Sequence, residues 1–271
     1  MTYQHAQDNW FAAFVIGFIA LAVLINILRA RAGAQLYIRR IPGLDAIDEA
    51  IGRSTELGRP VIMVPGLTAF GVVAVQALTI FKYITQQIAR FATPMRLLTG
   101  DPTVFAVAQE AIYDAYNEAG RPDLYDADNI RFLSDRQFAF ASGVAGLIQR
   151  ERVAASFMFG EFFAESLIFA ETGNMVGAIQ IAGTTSFTQV PFFVAACDYT
   201  IIGDEFYATS AYLSREPVLL GSLVGQDIAK LLFALTAVGG AITASIVGID
   251  APIIKLLGQP GGWDAFFGGG Q

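Results

Sequence analysis

Two apolar runs without a charge stand near the ends of the chain, Phe11–Leu28 and Leu231–Ile249. As helices each spans roughly 27–30 Å, the thickness of a bilayer core. Both predict transmembrane helices. A third uncharged run, Pro60–Phe81, is broken by Pro65-Gly66 after Val61-Ile62-Met63-Val64. It predicts a buried strand followed by a helix, because a parallel strand covered on both faces reads as continuously apolar. The other reading is a third membrane span, which would reverse the side on which everything downstream lies.

From Arg59 onward short apolar strands alternate with amphipathic helices. The strands predicted are Val61–Val64, Met95–Thr99, Ile130–Leu133, Ala155–Phe159, Ala178–Ile181 and Tyr199–Ile202. The clearest helices are Thr103–Ala119, with Val104, Ala108, Ile112 and Ala115 on one stripe, and Arg136–Arg152. Asp101-Pro102 supplies a cap and a first-turn proline to the first, and Ser134 or Asp135 can cap the second. The fold class expected is α/β: a doubly wound, mostly parallel sheet flanked by N- and C-terminal transmembrane helices. Gly43–Gly58 predicts a short helix with Leu44, Ile47 and Ile51 on one side and Asp48, Glu49 and Arg53 on the other. It either lies on the membrane or docks on a neighbour.

These patterns divide the chain into an N-terminal anchor (1–30), a juxtamembrane segment (31–58), an α/β domain (59–215), a C-terminal transmembrane helix (216–250) and a Gly/aromatic tail (251–271). Pro217 opens a helix that runs through Asp227 and Lys230 into the second apolar run. Gly221, Gly225 and Ala229 recur every four residues, as do Gly240, Ala244 and Gly248. Small residues at that spacing make strips on which another helix packs closely. Met1–Asn9 carries no Lys or Arg, whereas Arg29, Arg31, Arg39 and Arg40 follow the first run. That bias predicts two spans in the cell membrane, both termini outside and the α/β domain in the cytoplasm, with Trp10 as an interfacial anchor.

Composition narrows the chemistry. Apolar residues make up 54% and charged residues 15%, against about a quarter charged in soluble proteins. A net charge of −7 with three lysines argues against a nucleic-acid partner. Cys197 is the only cysteine and His5, ahead of the first span, the only histidine. The central domain therefore builds no His-based catalytic triad, Cys/His zinc site or disulfide. Cys197 reads as a small buried hydrophobe.

The predicted strand ends carry Asp101, Asp135, Glu161 and Asp204, where doubly wound sheets bind ligands. Gathered together they would hold a hard cation; taken singly, each is explained as a helix cap. Thr184, Thr185 and Ser186, after Gly183, form the best anion-binding turn, with a capped turn as the plainer reading. Glu161 and Glu165 are placed on one helix face. No P-loop and no Gly-x-Gly-x-x-Gly is present, and no cofactor, metal site or catalytic residue is assigned.

Gly183-Thr184-Thr185-Ser186-Phe187-Thr188-Gln189-Val190-Pro191, the stretch Tyr199–Ala208 and Glu216-Pro217-Val218-Leu219-Leu220-Gly221-Ser222 resemble an uncharacterised prokaryotic membrane-protein family, known only as a domain of unknown function. The resemblance covers most of the chain. It implies a membrane protein and supplies no activity. The function expected is a membrane-anchored structural or assembly protein whose partners are membrane lipid and copies of itself or other membrane subunits. The alternative is a membrane-bound module binding a metal or phosphorylated small molecule, with hydrolysis as one use. A third is an accessory subunit of a transporter or respiratory complex, which charged residues within a span would indicate; neither run contains one.

Overall fold

The computed structural model describes residues 10–34 and 42–247. They fall into two compact units, one made from the two long terminal helices and one from everything between them.

The central unit holds a six-stranded sheet with β1 (Val61–Gly66), β2 (Met95–Thr99), β3 (Ile130–Phe132), β4 (Ala155–Glu161), β5 (Ile179–Thr184) and β6 (Tyr199–Ile202). The order is β3-β2-β1-β4-β5-β6 and every pairing is parallel. All six lie where the apolar runs predict them. The order reverses between β1 and β4, as in the doubly wound sheets that bind dinucleotides.

Alternation along the strands creates two cores. Met63, Leu97, Phe157, Phe159, Ile181 and Ile201 face α2 (Pro42–Leu57), α3 (Val72–Ala89), α4 (Pro102–Glu118) and α8 (Asp204–Ser214). Ile62, Val64, Leu98, Met158 and Ala182 face α5 (Gln137–Glu151), α6 (Glu165–Val176) and α7 (Val190–Ala196). Phe159 is central to the first core, with the Phe81 ring centroid at 6.0 Å and that of Phe206 at 6.4 Å. Burying each such ring contributes about 1.5–3 kcal/mol.

Two open readings are settled by burial. In α3, Ala74, Ala77, Ile80, Phe81, Ile84 and Ile88 are buried against the sheet, so Pro60–Phe81 is a strand and a core helix, not a membrane span. In α2, Leu44, Ile47 and Ile51 are buried in the same core, and a Cβ on Gly43 would stand 2.7 Å from the Ile201 side chain. The apolar stripe of α2 is therefore spent on the domain's own sheet and does not lie on lipid.

The second unit pairs α1 (Trp10–Arg31) with α9 (Pro217–Val247). A Cβ on Gly221 would stand 2.5 Å from Ile27 Cα, and one on Gly225 2.6 Å from Val23 Cα. As α9 advances by one turn, α1 recedes by one, so the helices are antiparallel. Asn26, buried beside this seam, donates to the Ala22 carbonyl at 2.8 Å within its own helix. The stretch Pro217–Ile242 is long and apolar enough to cross a membrane. It includes Asp227 and Lys230, unlike the charge-free window starting at Leu231.

Candidate functional site

The place to look for a ligand in this sheet is the crevice beyond the carboxyl ends of β1 and β4. Here the two strand ends close on each other. A Cβ on Gly160 would overlap the Pro65 carbonyl, and one on Gly66 would overlap the Glu161 carbonyl. The two strand ends thus approach backbone to backbone, which only glycine permits. The Thr68 hydroxyl ties them together, donating to the Pro65 carbonyl (2.5 Å) and accepting the Glu161 N–H (2.7 Å). Beneath lies the buried Phe162 ring, 2.9 Å from where a Gly66 Cβ would be. Leu67 packs against Gly100 across the neighbouring strand end. The Glu161 N–H is thereby engaged.

Beyond these strand ends stand exposed aromatic rings: Phe70 after β1, Phe138 at the start of α5, Phe163 after β4 and Phe187 after β5. Exposed aromatics along one edge suit contact with a macromolecule, since aromatic side chains are enriched at interfaces.

The sequence-predicted acids do not converge. Asp101 is the N-cap of α4, accepting the Thr103 and Val104 N–H groups at 2.8 Å each. Asp135 is exposed; Ser134 accepts the Arg136 N–H at 3.1 Å, but the N-cap residue of α5 is Arg136, so neither predicted cap sits at the cap position. Glu161 is exposed at the end of β4, and Asp204 is exposed in the first turn of α8. Among the described residues, no group of three or more His, Cys, Asp or Glu is placed to hold a metal ion. Of the two readings of these acids, a gathered cation cluster is not assembled among the described residues, and Asp101 is the cap. We expect Asp101→Ala to lower stability by about 0.5–2 kcal/mol. The loss should be the same in Mg²⁺ and in chelator, read from urea unfolding; a loss seen only with Mg²⁺ would restore the cation site.

Glu161 and Glu165 do not share a helix face, because β4 runs through Glu161 and α6 starts at Glu165. Glu165 is fully buried. Its carboxylate accepts the Phe163 N–H at 2.9 Å and the Gln137 side-chain N–H at 2.7 Å, fastening the start of α6 to the start of α5. Ser166, also buried, donates to the Phe163 carbonyl at 2.9 Å. Gln137 escapes sequence reasoning because its partner, Glu165, comes from a separate element.

In the Thr184–Ser186 turn the hydroxyls serve the turn. Thr184, buried, accepts the Ser186 N–H at 3.1 Å, and the Ser186 and Thr188 hydroxyls bond at 2.9 Å. Thr185 is half-buried, and α7 begins only at Val190. These bonds make a self-bonded turn, as in the plainer of the two sequence readings. Cys197 is the packed residue expected: burial, and then the neighbouring Asp198 carboxylate, push its thiol up to about 12. Little thiolate, the reactive form, exists at neutral pH.

Of the two small-residue strips, Gly221, Gly225 and the buried Ala229 are on the described seam of α9, with α1 against the two glycines. A Cβ on Gly240 meets no described atom within 4 Å. The Ala244 side chain, Gly248 and the tail Ala251–Gln271 lie outside the described residues, as do Met1–Asn9, Arg39 and Arg40.

Residues 2–253 match a family described as "Domain of unknown function (DUF6754)". The chain belongs to this family. No curated protein and no solved structure matches it. The family assignment agrees with the resemblance carried by Gly183–Pro191 and Tyr199–Ala208, and it brings no activity with it.

Proposed function

We propose that this protein is a membrane-anchored assembly subunit. Both α1 and α9 span the cell membrane, and the α/β domain works in the cytoplasm as a contact module for copies of itself or other membrane subunits. The observation that carries this reading is the α1–α9 pair. Its seam is tight enough to bring Gly221 against backbone, yet Ile16, Leu21, Leu24 and Leu28 on α1 and Leu231, Leu235 and Val238 on α9 are exposed. In water so much contiguous apolar surface is a liability; in lipid it is the ordinary outer face of a helical hairpin. The arginines that follow α1's apolar run, Arg29 and Arg31 first, support a cytoplasmic α/β domain, and an antiparallel pair returns the chain to the side it started from. The bridged ends of β1 and β4 and the exposed aromatic rings beyond them favour a contact surface over the ligand-binding alternative.

The orientation is tested by labelling single cysteines with an impermeant maleimide in a Cys197→Ala background. Asp123→Cys, exposed on the domain, should stay unlabelled in intact cells and react once they are opened, whereas Gln259→Cys should react in both. Labelling of Asp123→Cys in intact cells would overturn it.

A further inference from the structure

The α1–α9 register sets the depth of two charges. With Gly221 on Ile27 and Gly225 on Val23, continuing the antiparallel pairing places Asp227 opposite Leu21 and Lys230 opposite Phe18. Those positions are the middle of the apolar run Phe11–Leu28. At 1.5 Å per residue the charges stand roughly 10–15 Å from either end of that run, deep in the hydrocarbon if α1 spans it.

The Asp227 side chain is not turned into the seam. Gly221, Gly225 and Ala229 are buried, while Asp227 and Lys230 are exposed. Three residues apart, they occupy one face of α9. Asp227 has no hydrogen bond or ion pair among the described residues. An acid or base facing lipid at mid-depth costs about 2.5–3.5 kcal/mol on insertion scales, so such groups turn toward protein or a water-filled cavity. Asp227 therefore calls for a cover that the described residues of the hairpin do not supply.

Resting on the membrane reading above, we propose that a second copy of this chain covers the Asp227–Lys230 face, the acid of each copy set against the base of its neighbour. The face carries an acid and a base together, so it is complementary to itself. Copies inserted in one orientation present it at one depth. A lysine has three donors and can serve a neighbouring copy as well as its own chain. Ile228 and Leu231, both exposed, flank the charges with apolar surface to bury. The small-residue strip is not the subunit contact here, since Gly221 and Gly225 are occupied by α1 of the same chain.

The test measures the mass of the full-length protein in mild detergent and in native nanodiscs, by light scattering and mass photometry. Wild type should be oligomeric. Asp227→Lys and Lys230→Asp should each weaken association roughly tenfold or more, because like charges then oppose, and the double exchange should restore it. The neutral pair Asp227→Asn with Lys230→Met, which inserts more easily, should also be monomeric. The proposal falls if wild type is monomeric, if the neutral pair associates like wild type, or if the exchange fails to restore the oligomer. An oligomer formed only with a different protein would also overturn the second-copy assignment. Alkaline carbonate extraction separates the two levels: release from the membrane defeats the anchoring reading itself, whereas retention with an unchanged neutral-pair mass defeats this inference alone.

Discussion

Gly160→Ala should destabilise the α/β domain by about 3 kcal/mol. Its φ of +152° is a region side chains rarely adopt, and the new Cβ would overlap the Pro65 carbonyl and stand 2.7 Å from the Thr68 hydroxyl. A carbonyl on β1 cannot yield without moving the strand, and the strand is paired with β2 and β4. The Thr68 bridge to the Glu161 N–H would open as well, leaving a buried hydroxyl and a strand-end amide to find other partners. Urea unfolding of the full-length protein in detergent, followed by tyrosine fluorescence, gives the number. Gly146→Ala is the control: it lies in α5, its Cβ would meet nothing within 4 Å, and it should raise stability by about 0.5–1 kcal/mol. A Gly160→Ala protein as stable as wild type would mean that the crevice has room, and the ligand-binding alternative would regain its ground.

That crevice shows which parts of the molecule are legible in the sequence. Met95–Thr99 and Tyr199–Ile202 are read correctly to the residue because each is an apolar stretch closed by a turn signal, Gly100-Asp101 and Gly203-Asp204. The fifth strand is read as Ala178–Ile181, but it runs Ile179–Thr184. Gly183 looks like a turn, whereas its missing side chain makes room inside the strand for the Phe159 ring. Gly160 misleads in the same way, so the strand continues to Glu161 and the supposed Glu161–Glu165 helix face does not exist. The Thr68–Glu161 bridge joins residues 93 positions apart. It follows from β1 and β4 being neighbours, and local pattern does not encode which strands are adjacent. The aromatic rings of the rim are visible as single phenylalanines, but their common edge is a property of the parallel order. Likewise, spacing announces Gly221, Gly225 and Ala229 as a packing strip, while the partner of the glycines and the depth of Asp227 depend on the register with α1.

Gly221→Leu should pull that helix pair apart while leaving the α/β domain folded. The Cβ of residue 221 would lie 2.5 Å from Ile27 Cα, 2.6 Å from Ile27 N and 2.8 Å from the Asn26 carbonyl carbon, all of them backbone atoms. Side chains can turn aside; a helix backbone can only move as a body. In lipid no hydrophobic drive holds the helices together, so close packing supplies the attraction and its loss is not made good elsewhere. The axes should separate by roughly 2–3 Å, toward the 8–10 Å typical of helices in contact through larger side chains. Spin labels on Leu21→Cys and Leu231→Cys, both exposed and away from the seam, would report the separation as a longer and broader distance distribution in nanodiscs. Gly17→Leu, where a Cβ meets nothing within 4 Å, should leave that distribution unchanged. An unaltered distance in Gly221→Leu would mean that the seam is loose. The register that sets the depth of Asp227 and Lys230 would then lose its basis, because a hairpin free to slide by one turn carries those charges about 5 Å nearer to an interface.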